Sequence, residues 1–255
     1  MRTPLRLLAS ILDFCIPPHC PLCTVRLPLG GGRSVCDPCL AEVERLRPPW
    51  CPRCGRPFPS EAALSHSPGH LCADCRNFLP LFDSARALGP MRDELRELVH
   101  LLKFQGQTGL AKELGPFLGG IAREEMPDAV EERARVTHVP LHPLRWRERG
   151  YDQAQLLALA AAESLGLRHE KVLARRRDTP VQFRLPAARR RNNVRGAFAV
   201  VRPQAVEGKR LLLIDDVITT GSTASACAEA LKKAGAASVD VLAVCHAGAG
   251  FSYNT

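Results

Sequence analysis

Several common function classes are excluded by what this chain lacks. Aromatic residues make up 5% of its 255 positions, so the stacking platforms that hold single-stranded nucleic acid are thin. No apolar run approaches the ~20 residues needed to cross a bilayer. The opening, "MRTPLRLLASILDFCI", joins a basic start to a short apolar run, but Asp13 interrupts it and no small-residue cleavage site follows. That pattern argues against a secretory leader and for a cytoplasmic protein. Residues 1–18 read as a short amphipathic helix or extension packed on the body, with peripheral contact at the inner face of a membrane as the alternative. No G-x-x-x-x-G-K-[ST] stretch is present, which excludes a P-loop. No G-x-G-x-x-G follows a strand, which excludes a dinucleotide fold.

Cysteine, by contrast, is concentrated. Eight of the eleven fall in four C-x-x-C pairs: Cys20 and Cys23, Cys36 and Cys39, Cys51 and Cys54, Cys72 and Cys75. Two-residue spacing lets both thiolates of a knuckle face one tetrahedral ion, and two knuckles complete a four-sulfur zinc site. Four pairs imply two structural Zn²⁺ ions, with the pairing order open between adjacent and interleaved knuckles. A disulfide framework would need an oxidising compartment. His66 and His70 read as loop residues, and Cys15, Cys227 and Cys245 as small packing residues. Residues 19–80 are rich in Pro and Gly and lack apolar periodicity, so metal binding stands in for a core there.

Net charge is +9, and 13 Lys or Arg against 5 Asp or Glu lie between Arg145 and Arg195. A field of that sign suits a phosphate-rich ligand.

From residue 81 to 255 the pattern alternates between strand and helix, as in an α/β domain with a mainly parallel sheet. "SARAL" is a candidate first strand, and "MRDELRELVHLLKF" follows with Leu95, Leu98, Val99 and Leu102 at helical spacing. Glycines at 106, 109, 115, 119 and 120 are expected to break the next part into short helical pieces. "RVTHVPL" reads as a strand, "DQAQLLALAAAESLG" as a helix ending at Gly166, and "GKRLLLIDDV" as a strand buried on both faces. "STASACAEALKKAGA" and "SVDVLAVCHA" add a helix and a strand.

In such sheets ligands bind at the carboxyl ends of strands. Asp215 and Asp216 end the strand Leu211 to Ile214, and Thr219, Thr220, Gly221, Ser222 and Thr223 lead into the next helix. A hydroxyl-rich turn at a helix N-terminus suits a phosphate. The adjacent carboxylates would repel a bare phosphate, but they suit a ligand that also offers hydroxyls or a bound Mg²⁺. A sugar phosphate has that shape.

These residues carry a resemblance. "LLLIDDVITTGST" looks like the phosphoribosyl-pyrophosphate (PRPP) signature of type I phosphoribosyltransferases. With "LLKFQG", "RWRERGYDQAQLLA", "PVQFRLPAARRRNNVRGAF" and the cysteine pairs, the chain from Cys20 to Ala247 resembles the ComF family, competence-associated phosphoribosyltransferases with a cysteine-rich zinc ribbon ahead of that domain. Two positions depart from the pattern, since Tyr151 and Asp152 stand where the family usually has Phe and Asn.

The resemblance implies a type I phosphoribosyltransferase sheet preceded by a small double zinc-ribbon module, and a Mg²⁺-dependent transfer from PRPP to an unidentified acceptor. Asp215 and Asp216 would contact ribose hydroxyls directly or through Mg²⁺-bound water, and Thr219 to Thr223 the 5′-phosphate. The segment "PLHPLRWRERG" would face the pyrophosphate through Arg145, Arg147 and Arg149. "RRRDTPVQFRLPAARRR" would cover the site. His138 and His142 flank the pyrophosphate segment and read first as packing residues, while Lys103 reads as a solvated helix-end lysine. The alternative is a non-catalytic nucleotide- or single-stranded-DNA-binding component of the competence machinery. It would hold DNA through the basic 145–195 region and have a competence helicase as a further partner.

Overall fold

The computed structural model describes residues 18–28, 32–60, 67, 69–177 and 196–248. The expected N-terminal helix, Cys15, His66 and residues 178–195 of the arginine-rich cover lie outside the described residues.

The N-terminal part holds two short helices, α1 (Asp37–Ala41) and α2 (Ala73–Asn77). Each begins directly after a cysteine, Cys36 or Cys72, so a knuckle runs straight into a helical turn. Sheet and helices then alternate. Strand β1 (Ser84–Pro90) is followed by α3 (Asp93–Phe104), α4 (Leu110–Glu125) and the one-turn α5 (Pro127–Glu131). Strand β2 (Arg135–His138) leads to α6 (Pro143–Arg149) and α7 (Gln153–Leu165). Strands β3 (Leu173–Arg175) and β4 (Phe198–Val200) form an antiparallel ribbon that brackets residues 178–195. Strand β5 (Arg210–Ile218), α8 (Ser222–Lys233) and β6 (Ser238–His246) complete the domain.

The main sheet is parallel, in the order β1-β6-β5-β2. Its two central strands are the near-continuous apolar runs that a doubly covered sheet requires. Alternation along β5 divides the core in two. Leu212 and Ile214 pack with α3, α4 and α7, whereas Leu211 and Leu213 pack with α8 and the β3–β4 ribbon. The cysteine-rich part divides the same way: Leu27, Val35, Leu40 and Val43 join the first cluster, and Cys51, Cys54, Cys72 and Cys75 the second. The module therefore builds onto both faces of the sheet.

Helix α4 runs unbroken through Gly115, Gly119 and Gly120, against the expectation of short pieces. Packing overrides intrinsic propensity here. A Cβ at Gly115 would lie 2.7 Å from the Ala160 carbonyl carbon and 2.9 Å from the Ala161 nitrogen. Glycine there is what lets α4 and α7 touch backbone to backbone.

Candidate functional site

The sulfur sites come first, because they brace the rest. Cys20, Cys23, Cys36 and Cys39 bring their Sγ atoms within 4.8 Å of one another, and so do Cys51, Cys54, Cys72 and Cys75. Adjacent pairs therefore share a site, which settles the order that spacing had left open. Cys23 and Cys36 Sγ are 3.5 Å apart, and Cys54 and Cys72 Sγ 3.6 Å. A tetrahedral ion with ~2.3 Å Zn–S bonds needs roughly 3.8 Å, so both sets fit zinc. The Cys72 amide donates to Cys51 Sγ across 3.4 Å, as an outer-shell partner would. Sulfur neighbours, Cys51 first, push the Cys54 and Cys75 thiols up, as expected of four thiols that cannot all ionise without a cation between them. The four cysteines of the second site are all buried, while Cys23 of the first is exposed. His70 takes no part: its ring packs on Phe58 and meets an Arg76 nitrogen at 3.1 Å.

The second site also reaches the sheet. Arg53, inside the Cys51–Cys54 knuckle, donates to the carbonyls of Phe82 (2.5 Å) and Asp83 (2.9 Å). Phe82 is fully buried, and its ring lies 3.2 Å from where a Cβ at Gly221 would stand. The Leu81 amide donates to Ser225 Oγ in the first turn of α8 at 3.0 Å.

Strand β5 extends to Ile218, past the expected end at Ile214, so the acids lie within its C-terminal half. Asp216 is in the alternation of Leu212 and Ile214 and faces α3 and α7; Asp215 faces the α8 side. The two carboxylates thus approach one strand end from opposite faces. Asp216 is 6% exposed at its side chain, and both its oxygens are engaged. Oδ2 accepts from Gln153 Nε2 at 2.7 Å, and Oδ1 pairs with Lys103 Nζ at 2.9 Å. Asp215 is partly buried, and its Oδ1 accepts the Asp216 amide at 2.9 Å. Burial, then the Asp216 charge beside it, pushes the Asp215 carboxyl up to about 8.

The turn after β5 closes on Gly221 with φ +69°, a left-handed conformation that suits glycine. Thr220 Oγ1 and Ser222 Oγ are 2.6 Å apart, and Ser222 is buried. Thr219 and Thr223 are partly buried beside them. Backbone and hydroxyls converge at the N-terminus of the 12-residue helix α8, where partial positive charge gathers.

The segment expected as a pyrophosphate loop holds α6. Arg149 is brought to the acids: Nη1 donates to Gln153 Oε1, and its guanidinium covers the Phe104 ring at 5.2 Å. Arg145 pairs with Glu148 at 3.0 Å, and Arg147 is exposed. Gly150 caps α6 with φ +83°. His142 accepts the Leu144 amide at 3.4 Å.

Asp152, the departure from the family's Asn, is buried and structural. It caps α7 by accepting the Gln155 amide at 3.1 Å and holds the Leu141 amide at 2.8 Å. Burial pushes its carboxyl up. Tyr151, the other departure, donates its hydroxyl to the Leu102 carbonyl at 2.5 Å. His138 is buried, 3.0 Å from His169 between Nδ1 and Nε2, and burial pushes it down to about 3, so it is a neutral packing residue at physiological pH.

Lys103 is the site residue that sequence reasoning passed over. It continues the stripe of Leu95 and Val99 at a spacing of four, so its stem lies on the buried face and its ammonium reaches the acids. A lysine in register with an apolar stripe at a helix end was the available signal.

Both parts of the chain match known families. The double zinc ribbon domain family matches residues 11–76, and the phosphoribosyl transferase domain family matches residues 147–251. The chain is 31% identical over 232 residues to the DNA utilization protein YhgH of Escherichia coli O6:H1, spanning 90% of this chain and 97% of that one. It is 29% identical over 217 residues to competence protein F of Haemophilus influenzae, covering 82% and 88%. With competence protein ComFC of Streptococcus pneumoniae it shares 27% over 209 residues, covering 80% and 84%. Among the described residues no helix is long and apolar enough to cross a membrane. With two four-cysteine zinc-ribbon sites built onto a parallel phosphoribosyltransferase sheet, the chain belongs to the ComF family.

Proposed function

We propose that this chain binds PRPP with Mg²⁺ at the junction of β5 and α8 and transfers its phosphoribosyl group to an acceptor. One observation carries the reading: two carboxylates and a hydroxyl-lined helix N-terminus share the carboxyl end of one central parallel strand. Asp215 and Asp216, approaching the strand end from opposite faces, offer acceptors to the hydroxyls of a ribose placed there, and the turn Thr219–Thr223 offers donors for a 5′-phosphate. Arg149, already turned toward Gln153 and the acids, supplies positive charge for a pyrophosphate; Arg145 and Arg147 follow on the same short helix.

The acidic pair also fits Mg²⁺. Asp215, held up to about 8 by burial and by Asp216, is a carboxylate that a divalent cation would relieve. Bound there with the substrate, Mg²⁺ would neutralise charge on the leaving pyrophosphate. The chain's own residues orient the ribose, fix the 5′-phosphate and hold arginines toward the departing group. As the bond to pyrophosphate lengthens, C1 of the ribose gains oxocarbenium character, and positioning with charge neutralisation supplies most of the acceleration.

Calorimetric titration of the zinc-loaded protein with PRPP and Mg²⁺ tests this reading. Binding by the wild type and its loss in Asp215→Ala/Asp216→Ala are expected; no binding by the folded wild type sinks it. Pyrophosphate release across a panel of amines and nucleobases then identifies the acceptor.

The relatives' names, DNA utilization protein and competence protein, favour a role for the same chain in handling incoming DNA. Exposed Arg147 and Arg168 support an electrostatic contact to a phosphate backbone. Retention of single-stranded DNA across a salt series, repeated with Arg147→Ala/Arg168→Ala, measures it. An unchanged salt slope counts against that surface.

A further inference from the structure

Asp216 is nearly closed to a ligand in the arrangement described. Its Oδ1 is held by Lys103 at 2.9 Å and its Oδ2 by Gln153 at 2.7 Å, with 6% of the side chain exposed. Each oxygen keeps a lone pair, but the departure of one partner is what opens the carboxylate to a ribose hydroxyl or a metal-bound water.

The two partners differ in freedom. Gln153 is buried, opens α7 next to its Asp152 cap, and accepts from Arg149 through its other side-chain atom. Turning its side chain away from Asp216 would also give up the arginine contact. Lys103 is the more exposed partner, at 21%, and sits in the last turn of α3 on a flexible four-carbon stem. Its backbone, however, is pinned. Tyr151 donates to the Leu102 carbonyl on one side, and the Arg149 guanidinium covers the Phe104 ring on the other. Lys103 is therefore a fixed base with a mobile charge.

That charge has a reason to move. A lone ammonium beside a single buried carboxylate is balanced, but a pyrophosphate entering next to Arg149 brings several negative charges into the same low-dielectric space. The ammonium is drawn to the larger charge, and Asp216 is released as it goes. Resting on the PRPP reading above, we propose that Lys103 is a counter-ion that exchanges partners. It neutralises Asp216 while the site is empty and transfers to the donor's pyrophosphate on binding, which frees Asp216 to accept a ribose hydroxyl. The exchange stops the carboxylate from pairing with stray cations. It also makes full engagement of the ribose depend on the pyrophosphate.

Two ligands separate this exchange from a purely structural ion pair. PRPP with Mg²⁺ carries the pyrophosphate; ribose 5-phosphate lacks it. For Lys103→Met, calorimetry should show PRPP affinity falling about tenfold or more, while ribose 5-phosphate binds as tightly as to the wild type or a few-fold tighter, because no ammonium competes for Asp216 Oδ1. Lys103→Arg should bind PRPP within a few-fold of wild type. An equal loss for both ligands, or no change for either, overturns the exchange while leaving the PRPP reading standing. If the folded, zinc-loaded wild type binds neither ligand, both readings fall. Should Lys103→Met fold poorly with Asp216 left uncompensated, Lys103→Met/Asp216→Asn removes the pair together. Compared with Asp216→Asn alone, it should still lose PRPP affinity and keep its ribose 5-phosphate affinity; equal PRPP affinity in the two variants overturns the proposal.

Discussion

Gln153 Nε2 donates to Asp216 Oδ2 across 2.7 Å, linking the first residue of α7 to the C-terminal part of β5. Through this bond the acid is set by helix capping, since Asp152, one residue earlier, fixes where α7 begins. Several outcomes can be derived from this arrangement.

Asp152 should tolerate the family's usual residue only in part. Asp152→Asn keeps one oxygen for the Gln155 amide but turns its NH2 toward the Leu141 amide, so a loss of about 1 kcal/mol is expected. Asp152→Ala removes the cap and leaves the Leu141 amide without its acceptor, for a loss of about 1–3 kcal/mol. Urea denaturation of the two variants measures this. Equal losses would show that the position is not a cap.

The Asp215 carboxyl gives a pH dependence with a defined sign. Its folded value is pushed from 3.8 up to about 8, so between those values the folded chain holds a proton that the unfolded chain releases. The associated stability is fully present below about pH 3.8 and is lost as pH rises through about 8. Denaturation midpoints between pH 6 and 9 should decline in the wild type and flatten in Asp215→Asn. Affinity for PRPP with Mg²⁺ should rise over the same interval, because the ionised acid is the binding form. A flat wild-type profile for both quantities would argue that Asp215 is already ionised at pH 6.

Gly221→Ala should weaken both fold and site. Its φ of +69° costs an alanine on the order of 1–2 kcal/mol, and the new Cβ meets the Phe82 ring at 3.2 Å. The turn must open to relieve that contact, which displaces Ser222 and Thr220. A stability loss of that size together with a larger loss of PRPP affinity is expected from denaturation and calorimetry. Full affinity in the destabilised variant would mean that the turn does not hold the phosphate.

The two zinc ions should leave at different rates. Metal analysis should find two per chain, and a colorimetric chelator should draw the ion at Cys20, Cys23, Cys36 and Cys39 first, because Cys23 is exposed. The all-buried second site should follow slowly. Cys23→Ser should remove only the fast phase. A single phase releasing both ions would contradict the difference in access.

Much of this was legible in the sequence because it rests on short-range rules. The C-x-x-C spacing announced two four-sulfur sites, and strand–helix alternation announced the parallel sheet around Leu211–Ile214. What escaped depends on contacts between distant segments. Helix α4 holds three glycines that propensity reads as breaks, yet two of them are where α7 touches it. Lys103 reads as solvated on its own helix, and only the fold brings it to Asp216, 113 positions later in the chain. The order of sulfur pairing likewise needed the chain's path.

The bonds from Arg53 to the Phe82 and Asp83 carbonyls alter what the cysteine-rich part means for the α/β half. A knuckle that looks like an appended bead works as the abutment on which Phe82, and behind it the Gly221 turn, are seated. Cutting the chain between residues 80 and 81 would leave those carbonyls facing water and the Phe82 ring loose beneath the turn. Zinc at the second site and the Gly221 turn are therefore expected to melt as one unit, across the boundary drawn by composition.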